Sequence, residues 1–545
     1  MGALRGGRIW IWLSAMAGSV SILALLGILL LLAGQGMRYF WPHGVYQFEL
    51  RDGQTVIGER YARYDVPLQQ LREAGIKLPQ DAPPSLPRYL VKTGNRDFNG
   101  QDFLTLLGSD ILHTRKPAEL MVLERRHNGN AYGYLDGLLE NGQPLLGRDA
   151  RQALRQRIAR VHQLTDSIHA LQSGTLVPIG HEFEELRLKQ LKLVRKNRWG
   201  DQEQAQSRAE HIQLEKRYLE ARERLAMLEL EQKRDSLVLR DMRGERHVIP
   251  LYKVLDAWYP NAMTTTDKLR HWGGQVVKFL GGEPRESNTE GGVFPALFGT
   301  VLMVILMSII VMPLGVMAAV YLHEYAARNW LTRLVRVAVI NLAGVPSIVY
   351  GMFGLGFFVY VIGGTLDQLF YAGALPNPTW GTPGVLWASL TLALLTLPVV
   401  IVSTEEGLAR IPDALRHGSL ALGATRAETL WRVVLPLAAP AMLTGLILAI
   451  ARAAGETAPL MLVGVVKSVP ELPVDGVFPY LHLDRKFMHL GFQIYDGALQ
   501  SPNVEAARPL VFATAFLLVT LVVGLNLAAM SLRHYLREKY RALSL

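Results

Sequence analysis

Ser403-Thr404-Glu405-Glu406-Gly407-Leu408, then Leu420-Ala421-Leu422-Gly423-Ala424-Thr425 and Val433-Val434-Leu435-Pro436, lie between two long apolar runs of the chain. The local chemistry predicts two short helices with a sharp turn at Gly423. Pro412 and Asp413 suit the first turn of one helix, where an amide is unpaired in any case and a carboxylate faces the positive end of the helix dipole. Thr425 and Glu428 form the S/T-x-x-E capping box that opens the next helix. Along that second helix Leu430, Val433 and Val434 fall toward one side and Arg426 and Arg432 toward polar surroundings. These residues alone fit either a docking element or an ordinary structured loop.

The flanking runs set the context. A helix crossing a bilayer needs about 20 mostly apolar residues, because every peptide group must be hydrogen-bonded within the segment. Six stretches qualify, near 9–34, 294–322, 337–362, 384–403, 437–466 and 509–532. The first follows Arg5 and Arg8, as a signal peptide would, but the apolar run is too long and no small-residue cleavage site follows, so it reads as a retained anchor. The expected fold is a polytopic α-helical membrane protein with six predicted transmembrane helices.

Short-loop basic residues orient such a protein. Arg5 and Arg8; Arg328, Arg333 and Arg336; Arg410, Arg416, Arg426 and Arg432; and Arg533, Arg537, Lys539 and Arg541 fall on one side. The short loops of the other side hold only Lys467, Arg485, Lys486 and Arg508. The richer side is expected to be cytoplasmic. Both termini and the 405–436 loop then face the cytoplasm, and the long polar block after the first span faces the periplasm of a bacterial inner membrane.

Charge distribution supports this division. The 545 residues are 50% apolar and 19% charged, but 39 of the 57 Lys/Arg and 34 of the 47 Asp/Glu lie between Arg38 and Glu290. A polar block therefore interrupts a greasy chain: an anchor at 1–36, an insert at 37–293 and a core of five spans at 294–545. The net charge of +10 is interleaved with acids and carries no nucleic-acid recognition module. The absence of cysteine excludes disulfides, thiolate zinc sites, iron–sulfur clusters and cysteine nucleophiles.

The insert is expected to be a soluble α+β domain. β-rich runs at Val45–Leu50 and Thr55–Gly58 flank Asp52-Gly53, those at Glu119–Arg125 and Ala131–Leu138 flank Asn128-Gly129, and Ser236–Arg240 and Arg246–Leu251 flank Gly244. Between them Leu154, Ile158, Val161, Leu164, Ile168 and Leu171 recur at helical spacing, as do Leu214, Tyr218, Ala221, Leu225 and Leu228. Breaks at Ser173-Gly174, Pro178–Gly180 and Asn197–Gly200 suggest that these arms fold back into an antiparallel coiled-coil hairpin, packed on itself or on a partner. His181-Glu182-Phe183-Glu184-Glu185 lacks the second histidine of a zinc-protease helix and is expected to be a solvated face, not a metal site.

In the fifth apolar run Arg452 and Glu456 are four residues apart, hence on one helix face, and are the charged pair expected well inside a span. The arginine offers a planar fork of donors to an oxyanion, and the carboxylate offsets its charge or accepts from a protonated oxygen. A structural ion pair is the alternative. Gly344, Pro346 and Gly351 suit a pathway lined by freed backbone groups, or close helix packing and a kink. Ser347 and Tyr350 are candidate polar lining residues.

Gly423, followed ten residues later by Val433 and then by Leu435-Pro436, resembles the cytoplasmic loop of binding-protein-dependent ABC importer permeases, whose pattern is Glu-Ala-Ala, three residues, Gly, nine residues, Ile-x-Leu-Pro. Here His417-Gly418-Ser419 replace Glu-Ala-Ala, so the acidic residue is missing for any ionic contact of the kind it makes to the ATPase in relatives. Gly344-Val345-Pro346-Ser347-Ile348-Val349-Tyr350-Gly351 and Ala451-Arg452-Ala453-Ala454-Gly455-Glu456-Thr457-Ala458-Pro459-Leu460, with Ser403-Thr404-Glu405-Glu406, resemble the phosphate-uptake permeases, the PstA-type subunit more than its PstC-type partner. The resemblance spans about 294 to 532, and the insert resembles the extension of long PstA-type proteins.

This resemblance implies a permease subunit of an ATP-driven phosphate importer, with Arg452, Glu456, Thr457, Ser347 and Tyr350 on the substrate path and Gly423, Ala424, Thr425, Glu428, Leu435 and Pro436 coupling to the ATPase. It implies a PstC-type permease, two PstB-type ATPase subunits and a PstS-type periplasmic binding protein as partners. A permease for molybdate, sulfate or phosphonate, or a membrane-anchored sensor or scaffold acting through the insert, are the alternatives. No Gly-x-x-x-x-Gly-Lys-Ser/Thr loop occurs, so ATP hydrolysis by that route belongs to another subunit. No catalytic residue, metal ligand or cofactor is expected.

Overall fold

Among the described residues six helices are long and apolar enough to span a membrane: Trp10–Tyr39, Phe294–Tyr325, Ser347–Phe370, Val385–Ala409, Arg426–Gly455 and Val504–Tyr535, called here spans 1 to 6. The computed structural model describes residues 2–541 except 74–83, 146–148, 286–287, 328, 374, 477 and 502. Arg328, one of the arginines used for orientation, lies outside the described residues. The chain divides into two compact units, Met1–Tyr39 with Lys278–Leu545, and Phe40–Val277.

In the first unit span 4 is the most enclosed helix. Its Leu392 and Val400 share one buried cluster with Met303, Met307 and Val311 of span 2 and Ala449 and Ala453 of span 5. Small residues set the approach. A Cβ built on Gly315 of span 2 would lie 2.6 Å from Val400 Cγ1, and one on Gly36 of span 1 would lie 2.9 Å from Ala513 Cα of span 6. Helices that close gain dispersion contacts along their whole length, which matters where lipid offers no hydrophobic drive to pair.

Two expected spans are displaced. The run 337–362 is not one helix: Trp330–Leu342 is a separate helix of 13 residues, and span 3 starts only at Ser347. Pro346 is the cause. It disfavours helical backbone at Val345, sits itself at ψ 135°, and so serves as the N-cap of the new helix. The fifth run, expected at 437–466, begins at Arg426 and ends at Gly455. The capping box therefore opens span 5 itself, not an independent short helix, and the chain continues through a wide π turn at Leu430–Val434 into Leu435–Gly455.

The second unit holds two antiparallel sheets. Its strands are β1 Val45–Leu50, β2 Thr55–Pro67, β3 Ser85–Lys92, β4 Phe103–Leu107, β5 Ile111–Arg115, β6 Leu120–Arg125, β7 Ala131–Glu140, β8 Gln143–Pro144, β9 Asp235–Arg240, β10 Arg246–Pro250 and β11 Val254–Trp258. One sheet runs β4-β3-β2-β1-β5; the other runs β10-β9-β7-β6-β11, with β8 on β7. All three expected turns occur where side chains tolerate positive φ: Gly53 at 84°, Asn128 and Gly129 at 67° and 66°, and Gly244 at 81°. Val45 and Ile57 of the first sheet pack with Leu120, Val122 and Tyr132 of the second.

Between β8 and β9 stands a helical hairpin. Its first arm is Ala150–Leu171 continued through Gln172–Leu176 into Val177–Arg195; its second is Asp201–Gln232. The breaks expected at Ser173-Gly174 and Pro178–Gly180 are absent. The extra residues are absorbed in a π turn, and Pro178 occupies a first-turn position that needs no donor. Only Asn197, at φ 50°, and Gly200 reverse the chain. Arg217–Glu182 at 2.8 Å and Lys189–Glu210 at 3.5 Å hold the arms antiparallel. Leu154, Ile158 and Val161 face Met121, Leu123, Leu237 and Leu239 of the second sheet, so the apolar face at the base of the first arm packs on the sheet, while Arg160–Glu231 and Gln232–Thr165 tie the base to the other arm.

Candidate functional site

The helix Asp413–Ala421 ends in a Schellman motif. Gly423, at φ 87°, donates from its amide to Leu420 O at 3.0 Å, and Ala424 donates to Ser419 O at 3.3 Å. Thr425 then starts span 5 with the full reciprocal box: Glu428 N donates to Thr425 Oγ1 at 3.2 Å, and Thr425 N donates to Glu428 Oε2 at 2.9 Å. Ser419 and Thr429 hydroxyls, 2.9 Å apart, tie the short helix to the start of span 5. The turn is thus braced on both sides. Val434 is buried and Leu430 and Val433 half-buried, whereas Arg426 and Arg432 are exposed, as the amphipathic pattern predicts. His417 and Gly418, at the positions of the resemblance's Glu-Ala pair, are exposed too. Around them Leu415, Leu422 and Trp431 also face outward, Leu422 at 91% and Trp431 at 71% exposure. These side chains leave apolar surface exposed beside the Gly423 turn.

Arg416 fixes this element to the spans, a residue that sequence reasoning used only in the charge count. Its guanidinium donates to Leu408 O and Ile411 O, both at 2.8 Å, and pairs with Asp413 at 2.9 Å and Glu324 at 3.1 Å. Helix C-termini leave carbonyls without partners, and Arg416 supplies donors to those at the end of span 4 while reaching the end of span 2. Arg336 repeats the arrangement, donating to Leu322 O at 3.2 Å and pairing with Glu405 at 3.0 Å.

At the opposite end of span 5 lie the candidate path residues. Arg452 is in the last turn and Glu456 is the C-cap, with extended backbone at ψ 125°. The pair therefore stands at a helix break and not in mid-span, because the helix ends eleven residues earlier than expected. Arg452 Nε and Glu456 Oε1 are 3.7 Å apart, both side chains are only partly buried, and among the described residues the other guanidinium donors make no hydrogen bond. Thr457 follows as the N-cap of a one-and-a-half-turn helix, Ala458–Val463. Span 3 packs on that short helix: a Cβ at Gly351 would meet Pro459 Cα at 2.7 Å, so this glycine serves close approach. Ser347 opens span 3 and is half-buried. Tyr350 is buried, and its hydroxyl donates to Leu342 O at 2.5 Å, stitching the Pro346 break.

In the second unit Asp241, Glu245 and His247 bring three ligand-type atoms together. Asp241 is already committed there: Oδ1 accepts from Arg243 and Glu245 amides at 2.9 Å, and Oδ2 lies 3.0 Å from His247 Nε2. This is the wiring of the β9–β10 turn. His181 and its neighbours form part of the first arm, with Glu182 paired to Arg217.

The sequence profile described as "Binding-protein-dependent transport system inner membrane component" matches residues 311–542. The phosphate transport system permease protein PstA of Mycobacterium leprae is 37% identical over 244 residues, 45% of this chain and 71% of its own length. PstA of Yersinia pestis is 33% identical over 257 residues, 47% of this chain and 77% of its own. A solved structure of the MetNI methionine ABC transporter in inward-facing form aligns with 45% of this chain and 94% of its own at 20% identity and a TM-score of 0.32. With its six spans, braced 405–436 element and matching relatives, the chain belongs to the PstA family of binding-protein-dependent transport permeases.

Proposed function

We propose that this chain is the permease subunit through which an ATP-driven importer carries inorganic phosphate across the inner membrane. The observation that carries the reading is Arg452–Glu456 at the break of span 5, one span-length from a braced contact surface in a PstA-family core. Arg452 binds phosphate oxygens through its fork, and Glu456 balances the guanidinium when the path is empty and accepts from the protonated oxygen that phosphate has and sulfate lacks. Thr457, Ser347 and Tyr350 line the same path. Both termini and the 405–436 element face the cytoplasm, by the arginine excess there. The insert faces the periplasm, and its hairpin packs as an antiparallel coiled coil.

ATP is bound and split by a pair of PstB-type ATPase subunits, which dock on Leu415, Leu422 and Trp431 around Gly423, Ala424, Thr425 and Glu428, with Leu435 and Pro436 carrying the motion into span 5. The chain itself is not an enzyme. A PstC-type permease completes the path, and a PstS-type binding protein delivers phosphate. The test is uptake of labelled phosphate by proteoliposomes holding the complete complex, in competition with sulfate and molybdate. Phosphate uptake that needs internal ATP is expected, and preference for another oxyanion overturns the reading. Glu456→Gln is expected to reduce phosphate uptake and narrow its preference over sulfate; unchanged uptake and exclusion would remove the carboxylate from the selectivity step.

A further inference from the structure

The helix Leu490–Tyr495 and its N-cap carry polar side-chain atoms that make no hydrogen bond among the described residues. His489, its N-cap, is fully buried, and Gln493, four residues on and so on the same helix face, is 3% exposed. Gln493 Nε2 and Oε1 and His489 Nε2 have no hydrogen-bond partner among the described residues. A buried amide or imidazole left unpaired is unfavourable, so such a group calls for an explanation beyond the hydrogen bonds of the fold. The contrast with the next turn is sharp. Asp496, equally buried, accepts from Asn288 Nδ2 at 2.8 Å and pairs with Lys467 at 3.0 Å. The fold completes its polar bonding where the helix is anchored and leaves it open one turn earlier.

The short helix that carries these open groups packs, through Gly491, against Thr457 of the candidate path. His489 Nδ1 accepts from Gly491 N at 3.1 Å, and burial lowers the histidine pKa to about 4, so the neutral ring carries its proton on Nε2. A Cβ at Gly491 would lie 2.4 Å from Thr457 Oγ1 and 3.2 Å from His489 Nδ1, which sets the threonine that follows Glu456 against the same glycine as the histidine. Resting on the phosphate reading above, we propose that His489 and Gln493, with Thr457, form an uncharged oxyanion-binding step next to Arg452, at the end of span 5 away from the coupling helix. Nε2–H of the histidine and the amide N–H groups donate to phosphate oxygens, and Gln493 Oε1 accepts from the protonated one. Neutral donors hold an anion without the full Coulomb grip of arginine, which suits a step that must also release it.

Gln493→Met keeps the volume and removes the amide; His489→Asn keeps the N-cap acceptor and removes the Nε2 donor. Both variants are assayed in the complete complex for maximal phosphate uptake rate, and in the purified full chain for unfolding temperature. A hydrogen bond to a charged ligand corresponds to about a tenfold or larger effect, so the uptake rate is expected to fall about tenfold. Because Gln493→Met also removes an unpaired buried group, its unfolding temperature is expected to hold or rise. Uptake at the wild-type rate, meaning that only water occupies these groups, overturns the proposal. Lower uptake accompanied by a lower unfolding temperature in Gln493→Met also overturns it, as a purely structural role. Failure of the wild-type complex to import phosphate would count against the phosphate reading instead.

Discussion

Arg416 shows how one side chain can join elements that the sequence separates widely. Its side chain is 14% exposed, and four acceptors, on spans 2 and 4, on the connection after span 4 and on the helix Asp413–Ala421, meet its planar fork. Lysine cannot reproduce that geometry, having a single point charge. Arg416→Ala is expected to lower stability by about 2 kcal/mol, and Arg416→Lys by most of that, because Glu324 and two carbonyls lose their donor; thermal unfolding of the full chain measures both. A second residue is read through pH. The His489 pKa falls from 6.5 to about 4 through burial. Its folded value lies below its unfolded one, so the unfolded chain takes up the proton first, and the stability present above pH 6.5 is lost as pH falls toward 4. The loss approaches about 3 kcal/mol. In His489→Asn the stability decline between those pH values is expected to flatten by that amount, checked by unfolding temperature across the range.

Elements carry a pattern that hydropathy hides. Spans 4 and 5 meet through Ser403 and Gly407 on one helix and Ala441 and Gly445 on the other, each pair four residues apart. A Cβ at Gly407 would lie 2.4 Å from Ala441 Cβ, one at Gly445 would lie 2.9 Å from Ser403 Cβ, and Ser403 Oγ donates to Ala441 O at 2.8 Å. Facing small-x-x-x-small surfaces let antiparallel backbones close, and a large side chain forces them apart. Gly445→Leu is expected to cost about 1–3 kcal/mol or more and to lower the detergent-solubilised chain's unfolding temperature, while Gly445→Ala costs less because only one methyl meets Ser403. The run of apolar residues made these helices legible but not their seam, since serine, glycine and alanine register as neutral on a hydropathy scale. Boundaries failed for a related reason. Averaged apolarity continues across Val345-Pro346 and across Gly455-Glu456, and the backbone chemistry of proline and of a C-cap, not hydrophobicity, ends those helices. The capping box and the Gly423 turn were legible because they depend on neighbours in sequence.

At the scale of the whole molecule the chain divides into two compact units, and the charge distribution predicts a polar block over the second of them without locating every strand. β3, β4, β5 and β11 escaped because neither a two-residue turn nor strict alternation marks them, whereas the strands beside Asn128-Gly129 and Gly244 were announced by positive-φ residues. His489 and Gln493 escaped for the opposite reason: their significance lies in missing partners, and only coordinates reveal an unmade bond. The helical hairpin is the part of the second unit most separable from its core. Leu154, Ile158 and Val161 complete the core of the second sheet, and Arg157 and Arg160 reach the buried Asp235, so the base of the first arm must stay. Gln232 Nε2 still bonds Thr165 Oγ1 at 2.7 Å, but beyond that level the arms pair chiefly with each other. Because the arms run antiparallel, excising residues 170–228 and joining the stumps by a short glycine-containing turn closes the chain without stretching it. The loop closure adds little, because its entropy changes only by about 0.6 kcal/mol per doubling of length. The shortened chain is expected to fold with the second unit intact and to support ATP-dependent phosphate uptake within about twofold of the full chain, since no candidate path or coupling residue lies in the excised segment and local changes far from a site are usually nearly additive. Uptake and unfolding are measured together: normal unfolding with uptake abolished would move the hairpin from an accessory into the transport cycle.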